Sequence, residues 1–510
     1  MHGFHPLPLA RAILDPLHGL IRFTDEEVKV LSSPLFQRLR KIKQNGLLHY
    51  VFPSATHTRF EHSLGVLFVA DSMLQSLIYN SSASTKKIAT FKDGQTGQAI
   101  DFSNACEDEK IARYLFRVTR LAALVHDLGH GPLSHTFDSF APKSQDILRI
   151  IQSDKRFSAL EQVTNLVIKK DRIEHEIISC LFFYAIWNEI GEQDQLIPDS
   201  VAAAILGKDA FCLVKDPIHR SWIPLINDII SSAPADADRM DYLERDSRSC
   251  GVSYGLFDRD RLLKTLLCYR TAEQDHRLGL KISGLRAIEN FVQARFELFV
   301  QVYYHKTNRA IELMLEEISN SAKQDHRTVV DASSFKSLEQ RYIELGDDLF
   351  ISTLQSPEQP ERTRKLAEQI QNRKLWKRIY DLDPCEQLSG VDSDRDSWKF
   401  KHAQKILDRL KEVDSRVPLK IDQIPPKATK DLDKGAVLLR RDSVGIYAAQ
   451  VGLTWREASP IIHALEEEEK NIVRIYLLDS NPAQAKLLRD KAFEIDAQLG
   501  VKQDPSNPAA

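Results

Sequence analysis

In the segment His126-Asp-Leu-Gly-His-Gly-Pro-Leu-Ser-His-Thr-Phe-Asp138, three histidines and two aspartates share one short stretch of chain. Imidazole and carboxylate at that density suit a divalent cation or proton transfer near neutral pH. The His126-Asp127 pair means little by itself, since composition alone supplies about one such pair in a chain of this kind. Its setting carries more. It closes Tyr114–Leu128, a helical stretch that is apolar on nearly every face and contains Leu121-Ala-Ala-Leu-Val. A carboxylate buried there needs a cation beside it. No Lys or Arg lies in the adjacent turn, so a metal ion is the simplest compensation. Gly129 and Gly131 let the backbone turn tightly and approach a ligand. The alternative, a helix C-cap followed by surface histidines, does not require so many metal-binding side chains together.

Two further segments offer ligands. Thr56-His-Thr-Arg-Phe-Glu-His62 opens another apolar helix, and Arg59 and His62 are three apart on one face. His62 reads as a metal ligand with Arg59 as a phosphate clamp, or both as satisfied polar residues of a first helical turn. In Asp236-Ala-Asp-Arg-Met-Asp-Tyr-Leu-Glu-Arg-Asp246, Asp238, Tyr242 and Asp246 recur every four residues along one stripe. Asp238 could ligate metal there, with Tyr242 and Asp246 on a substrate and Arg239 on a phosphate. Taken alone, the same stretch also reads as an exposed charged helix.

The elements that must position these groups are mainly helical. Residues 11–80 read as helices after a short entry loop, with Pro34 as the first residue of one. Ser63–Ile78 reads as a buried helix. Residues 80–108 read as an exposed polar loop, and 173–190, Asp236–Asp246 and Ile288–Glu317 as further helices. Beyond them, 321–335 and 354–363 are polar loops and 362–412 charged amphipathic helices. Short β-branched runs at Val417–Ile421, Ala436–Leu439 and Asn471–Leu478 surround a helix at 455–468. The expected fold is mostly α, a helical catalytic core with a smaller α+β C-terminal domain. The expected division is 1–320 for the core, 321–415 for a helical extension, 416–500 for the α+β region and 501–510 for a disordered tail.

At 510 residues the chain exceeds a single core. Its formal net charge of −3 provides no global field for nucleic acid or anionic membrane. The six cysteines form no CxxC pair, which argues against a thiolate zinc site and for a reducing cytoplasm. No apolar run approaches the ~20 residues of a membrane span, and the N-terminus has no signal-peptide pattern.

In order along the chain, these segments resemble the HD-domain superfamily: a His, then His-Asp, then a distant Asp. More closely they resemble the deoxynucleoside triphosphate triphosphohydrolases. The resemblance runs through Asp15-Pro-Leu-His-Gly19, Phe36-Gln-Arg-Leu-Arg-Lys-Ile-Lys-Gln44, Tyr50-Val-Phe-Pro53 and Arg59-Phe-Glu-His-Ser-Leu-Gly65. It continues through the 126–138 segment, His175-Glu176, Asp236–Asp246 and Val302-Tyr-Tyr-His-Lys306. It implies one divalent metal ion (Mn, Fe, Mg, Zn or Ni) held by His62, His126, Asp127 and Asp238. It implies a catalytic cluster of His135, Asp138 and His175, and phosphate contacts from Arg59, Arg239 and Arg295. Gln44, Tyr242, Asp246 and Tyr303 would surround sugar and base. A nucleotide substrate and a homo-oligomer, dimer or tetramer, follow from the same resemblance.

Departures from the family pattern are Asn45 and Phe299 beside the pocket, and Leu14 and Ser32 where the vertebrate members bind a guanine activator with Asn and Asp; Arg40 matches. The SAM domain of the vertebrate members is expected to be absent. Two other readings stand beside the triphosphohydrolase. One is the same metal chemistry on other phosphoesters, since fold does not fix substrate. The other is a non-catalytic nucleotide sensor or nucleic-acid-binding protein, suggested by a helix-turn-helix look at Ile446–Glu457.

Overall fold

The Asp15-Pro-Leu-His-Gly19 turn joins two strands, β1 (Arg11–Asp15) and β2 (Gly19–Phe23), paired antiparallel with Asp15 opposite Gly19. Asp15 Oδ1 accepts the backbone N–H groups of Leu17 and His18 at 2.9 and 2.8 Å, and Gly19 takes φ +74°. The expected helix therefore gives way to a hairpin here, because the aspartate side chain satisfies the turn. The computed structural model describes residues 5–80, 88–90, 96–192, 194–232, 235–324, 330–382, 395–424, 437–439, 455–469, 472–479 and 481–500, apart from a few side chains within them.

Met1–Leu298, Ala322–Thr353 and Asp431–Ile462 form one compact unit; Phe299–Ser321, Leu354–Lys430 and His463–Ala510 form a second. In the first, a capping box between Thr24 and Glu27 opens the helix Asp25–Ser32, and Pro34 sits at the start of the next, capped by Ser33. Helix α1 (Arg59–Asn80) is buried along most of its length. Residues 80–108 contain β3 (Ile88–Thr90), β4 (Thr96–Ile100) and the short helix Phe102–Ala105. The loop expectation fails there because β4 is held by pairing with a distant strand, which its polar local sequence does not announce.

Helix α2 (Glu109–Val125), capped by Asp108, and α3 (His175–Glu189) follow. Helix α4 (Ala237–Cys250) is capped by Asp236 and stopped by Gly251 at φ +71°. Helix α1 packs on both α2 and α4. Strands β5 (Leu266–Thr271) and β6 (His276–Lys281) precede α5 (Leu285–Leu298). They form a hairpin in a region read as wholly helical. The sheet runs β3-β4-β5-β6 and ends with Val437–Leu439, parallel to β6. The strand expected at Ala436–Leu439 occurs as Val437–Leu439, but in the first unit's sheet rather than in a C-terminal domain.

In the second unit β7 (Lys377–Asp381), β8 (Leu419–Gln423) and β9 (Val473–Leu477) make an antiparallel sheet with β9 central. Helices α6 (Arg395–Val413) and α7 (Pro482–Gly500) contribute Ala403, Ile406, Leu410 and Ala492 to a core with Ile379, Ile475 and Leu477. Strand β7 interrupts the stretch expected to be helical throughout, again through pairing with a remote strand. The fold is mostly α with small sheets. The helix-turn-helix segment up to residue 454 and the tail from 501 lie outside the described residues. Among the described residues, no helix is long and apolar enough to cross a membrane.

Candidate metal centre

Four side chains from three elements converge in the first unit. His62 lies in the first turn of α1, His126 caps the C-terminus of α2, Asp127 follows it, and Asp238 sits in the first turn of α4. His62 Nε2 is 3.1 Å from Asp238 Oδ1 and 3.6 Å from Asp127 Oδ2. His126 Nε2 is 3.4 Å from Asp127 Oδ1 and 3.8 Å from Asp238 Oδ1. His62, His126 and Asp127 each offer a ligand atom within 4.8 Å of one another. Asp238 is the open member of the set, its side chain 28% exposed where that of His62 is 0%.

Local devices hold the groups in place. The Gly129 N–H donates to Ser179 Oγ, and Ser179 Oγ donates to the His126 carbonyl, both at 2.7 Å, so α3 fastens the turn after α2. A Cβ on Gly129 would stand 2.1 Å from the His175 carbonyl oxygen, so glycine is required for that approach. The buried Arg38 guanidinium donates to the carbonyls of Leu128 (2.8 Å) and His130 (2.6 Å). Leu133 and Ser134 both take left-handed backbone conformations, φ +55° and +56°. Asp347 accepts the Leu133 N–H, and Ser134 Oγ donates to the Gln44 carbonyl, both at 2.8 Å. Such strain is held only where the surroundings over-determine it.

The ring nitrogens test the fit of a metal. His62 Nδ1 lies 2.8 Å from Asp241 Oδ2 and His126 Nδ1 lies 2.8 Å from the Ala123 carbonyl. Both oxygens accept, so both Nδ1 atoms carry protons, and the Nε2 atom of each ring faces Asp127 and Asp238. His126 Nε2 is buried with no hydrogen-bond partner. Lone pairs facing carboxylates require a cation between them or protonated rings. Burial alone would depress the His62 pKa, but the hydrogen bonds to Asp238 and Asp241 raise it to about 10. His126 is likewise raised, by Asp127 and Asp238 against burial. Asp127 is held well below the carboxylate range, against burial, by Arg59 and His126. Two imidazoles and two ionised carboxylates fit a borderline or hard divalent ion.

Arg59 makes a close ion pair with Asp127 and donates to Ser134 Oγ at 3.3 Å. Arg239 pairs with Asp236 in the same manner. Tyr242 stands in the field of Arg295, Arg239 and Asp238, and burial raises its hydroxyl pKa. Asp246 is 2.6 Å from His57 Nε2, and the His57 carbonyl accepts the Gln44 N–H at 3.0 Å. His175 stacks on His130 at 3.6 Å and 23°. The His135 side chain lies outside the described residues, and Asp138 is half-buried. Tyr303 belongs to the second unit.

Two residues to which the sequence reading assigns no role stand in the site. His130 Nε2 is 3.4 Å from Asp127 Oδ1, and burial, with Arg59 nearby, holds His130 well below the usual histidine pKa. Its signal was its place inside the 126–138 cluster. Asp127, His130 and His175 could also group around an ion. Asp241 is the second such residue, and its partner on α1 could not be read from spacing.

Comparison with known proteins follows the same lines. Residues 257–505 match the family described as the HD associated region. An uncharacterized protein of Bacillus subtilis, YwfO, is 29% identical over 74% of this chain and 73% of its own length. The human deoxynucleoside triphosphate triphosphohydrolase SAMHD1 is 27% identical over 76% of this chain, which spans 58% of the human protein. A crystal structure of a hypothetical protein from Aquifex aeolicus superposes with a TM-score of 0.59 at 26% identity, covering 94% of this chain and 99% of that one.

Proposed function

This chain is an HD-type, SAMHD1-like protein, and we propose that it is a metal-dependent phosphohydrolase that cleaves deoxynucleoside triphosphates to deoxynucleoside and triphosphate. The observation that carries the metal-dependent part is the pair of Nε2 lone pairs, on His62 and His126, turned toward Asp127 and Asp238. A divalent ion bound there polarises a phosphoryl group and lowers the pKa of water. The names of the human relative and of one from Dictyostelium discoideum, 27% identical over 73% of this chain, both deoxynucleoside triphosphate triphosphohydrolases, support the substrate class.

Arg59, already against Asp127, neutralises charge that builds on the phosphoryl oxygens, with Arg239 and Arg295 as further phosphate contacts. His130 stays neutral in its buried position and serves as a hydrogen-bonding group rather than a cation. His135 and His175 share proton transfer to the leaving oxygen and from water, and Asp138 orients the imidazole it meets. Gln44, Tyr242 and Asp246 bind sugar and base. The active form is proposed to be a cytoplasmic homo-oligomer, dimer or tetramer, which light scattering tests directly.

The deciding experiment incubates metal-reconstituted protein with the four deoxynucleoside triphosphates, singly and mixed, in Mn²⁺ and in Mg²⁺. Chromatography resolves nucleoside, monophosphate, diphosphate and inorganic products. Deoxynucleoside with intact triphosphate, lost in Asp127→Ala and His135→Ala, is the expected result. Cleavage of only a phosphomonoester or phosphodiester would overturn the substrate and retain the metal centre.

A further inference from the structure

The Asp15-Pro-Leu-His-Gly19 turn has no role in the chemistry above, yet it is wired to the metal centre. Arg259 Nη1 lies 3.2 Å from His18 Nδ1 and can only donate. The His18 proton therefore sits on Nε2, 2.6 Å from Asp241 Oδ1. The other oxygen, Asp241 Oδ2, takes the proton of His62 Nδ1. Arg245 clamps the same carboxylate through Nε (2.9 Å) and Nη2 (3.0 Å) and reaches back to Asp15 at 3.0 Å. The His18 and Asp241 side chains are wholly buried, and the His18 ring stacks on Phe68 of α1 at 4.7 Å and 21°. A Cβ on Gly65 would lie 1.9 Å from Asp241 Oδ1, so α1 and α4 close on this carboxylate only because that position is glycine.

We infer that His18 is a positioning residue for the metal centre. By donating from Nε2 it fixes the rotation of Asp241. Asp241 then holds His62 in the tautomer whose Nε2 lone pair faces Asp127 and Asp238. Carboxylates behind a ligating imidazole set its tautomer and its basicity, and their loss weakens metal binding about 10–100-fold. Here that carboxylate is itself oriented by a residue of the β1–β2 turn, where Asp15 and the His18 side chain are buried while Leu14, Pro16 and Leu20 beside them are exposed. The inference rests on the metal-dependent reading above and not on the substrate.

The test titrates full-length, metal-stripped protein with Co²⁺, reading affinity against a competing chelator and the ligand-field spectrum, with the thermal midpoint recorded in parallel. His18→Phe keeps a ring against Phe68 and removes the donor. It is expected to weaken Co²⁺ binding about 10-fold and to shift the spectrum. His18→Gln, which places an amide N–H near the Nε2 position, should recover most of the affinity. Should the Phe variant fail to fold, Arg259→Met decides, since it removes the donor that fixes the tautomer from a half-buried position. It is expected to weaken binding a few-fold. Wild-type affinity and spectrum in the Phe and Met variants, whatever their thermal midpoints, would leave His18 a core residue and overturn the inference alone. A wild-type chain that takes up no Co²⁺ would overturn this inference and the metal-dependent reading together.

Discussion

His276 shows how burial outweighs a hydrogen bond in setting a titration. Its ring lies flat on Trp222, 3.4 Å away at 6°, and Nδ1 is 3.1 Å from the Ser221 carbonyl. Burial, the main cause, lowers its pKa to about 4. The folded value lies below the unfolded one of about 6.5, so the folded state prefers the neutral ring. That contribution is fully present above about pH 6.5 and is lost as pH falls toward 4. It should amount to about 3 kcal/mol. Urea midpoints for wild type and His276→Phe should converge between pH 6.5 and 4.5, and parallel curves would refute the assignment. Gly65 makes a second residue-scale prediction. Placing Cβ 1.9 Å from Asp241 Oδ1 and 2.4 Å from Arg245 Nη2 forces α1 and α4 apart. Gly65→Ala should lose about 1–3 kcal/mol of stability, or more, in denaturant titration.

At the scale of elements, helix α2 is tied to its surroundings by one guanidinium. Arg120 donates to both oxygens of Glu27 (2.8 and 2.9 Å) and to the Arg22 carbonyl, and pairs with Asp71 at 2.8 Å. Glu27 is also the reciprocal member of the capping box at Thr24. Removing the arginine leaves buried Glu27 without a cation and Asp71 with only His5. Arg120→Met should therefore destabilise the first unit by about 3–5 kcal/mol. The double variant Arg120→Met with Glu27→Gln should recover part of the loss, and a simple sum of the two single effects would contradict the coupling.

For the whole molecule, a metal ion at the proposed site would link binding to folding in the unit that carries His62, His126, Asp127 and Asp238. An ion at 100 times its dissociation constant adds about 2.7 kcal/mol to the stability of the state that binds it. Chelation should therefore lower hydrogen-exchange protection in α1, α2 and α4 and leave β7, β8 and β9 unchanged. Equal loss in both sets would place the ligand elsewhere.

How much could be read beforehand follows from where the information sits. Helices α1, α2 and α4 were legible because their signals are local: the apolar runs Ser63–Ile78 and Tyr114–Leu128, and the four-residue stripe of Asp238, Tyr242 and Asp246. Of the proposed ligands, His126 and Asp127 stood out in the sequence because they close an apolar helix, whereas His62 and Asp238 each also read as polar residues of a helical turn and joined the set through the family resemblance. The β1–β2 hairpin, the β5–β6 pair and β7 were not. A strand is stabilised by partners, and Gly279 meets Val437 across a separation that no local window spans. His130 and Asp241 stayed hidden for the same reason, since their importance lies in Asp127, His62 and His18 arriving from other elements. The amino-acid order by itself determined which metal-binding side chains the chain offers and the helices that bear them. Only the tertiary structure decided which nitrogen of each ring faces the centre, because a tautomer is chosen by the acceptor on the far side of the imidazole, and folding supplies that acceptor.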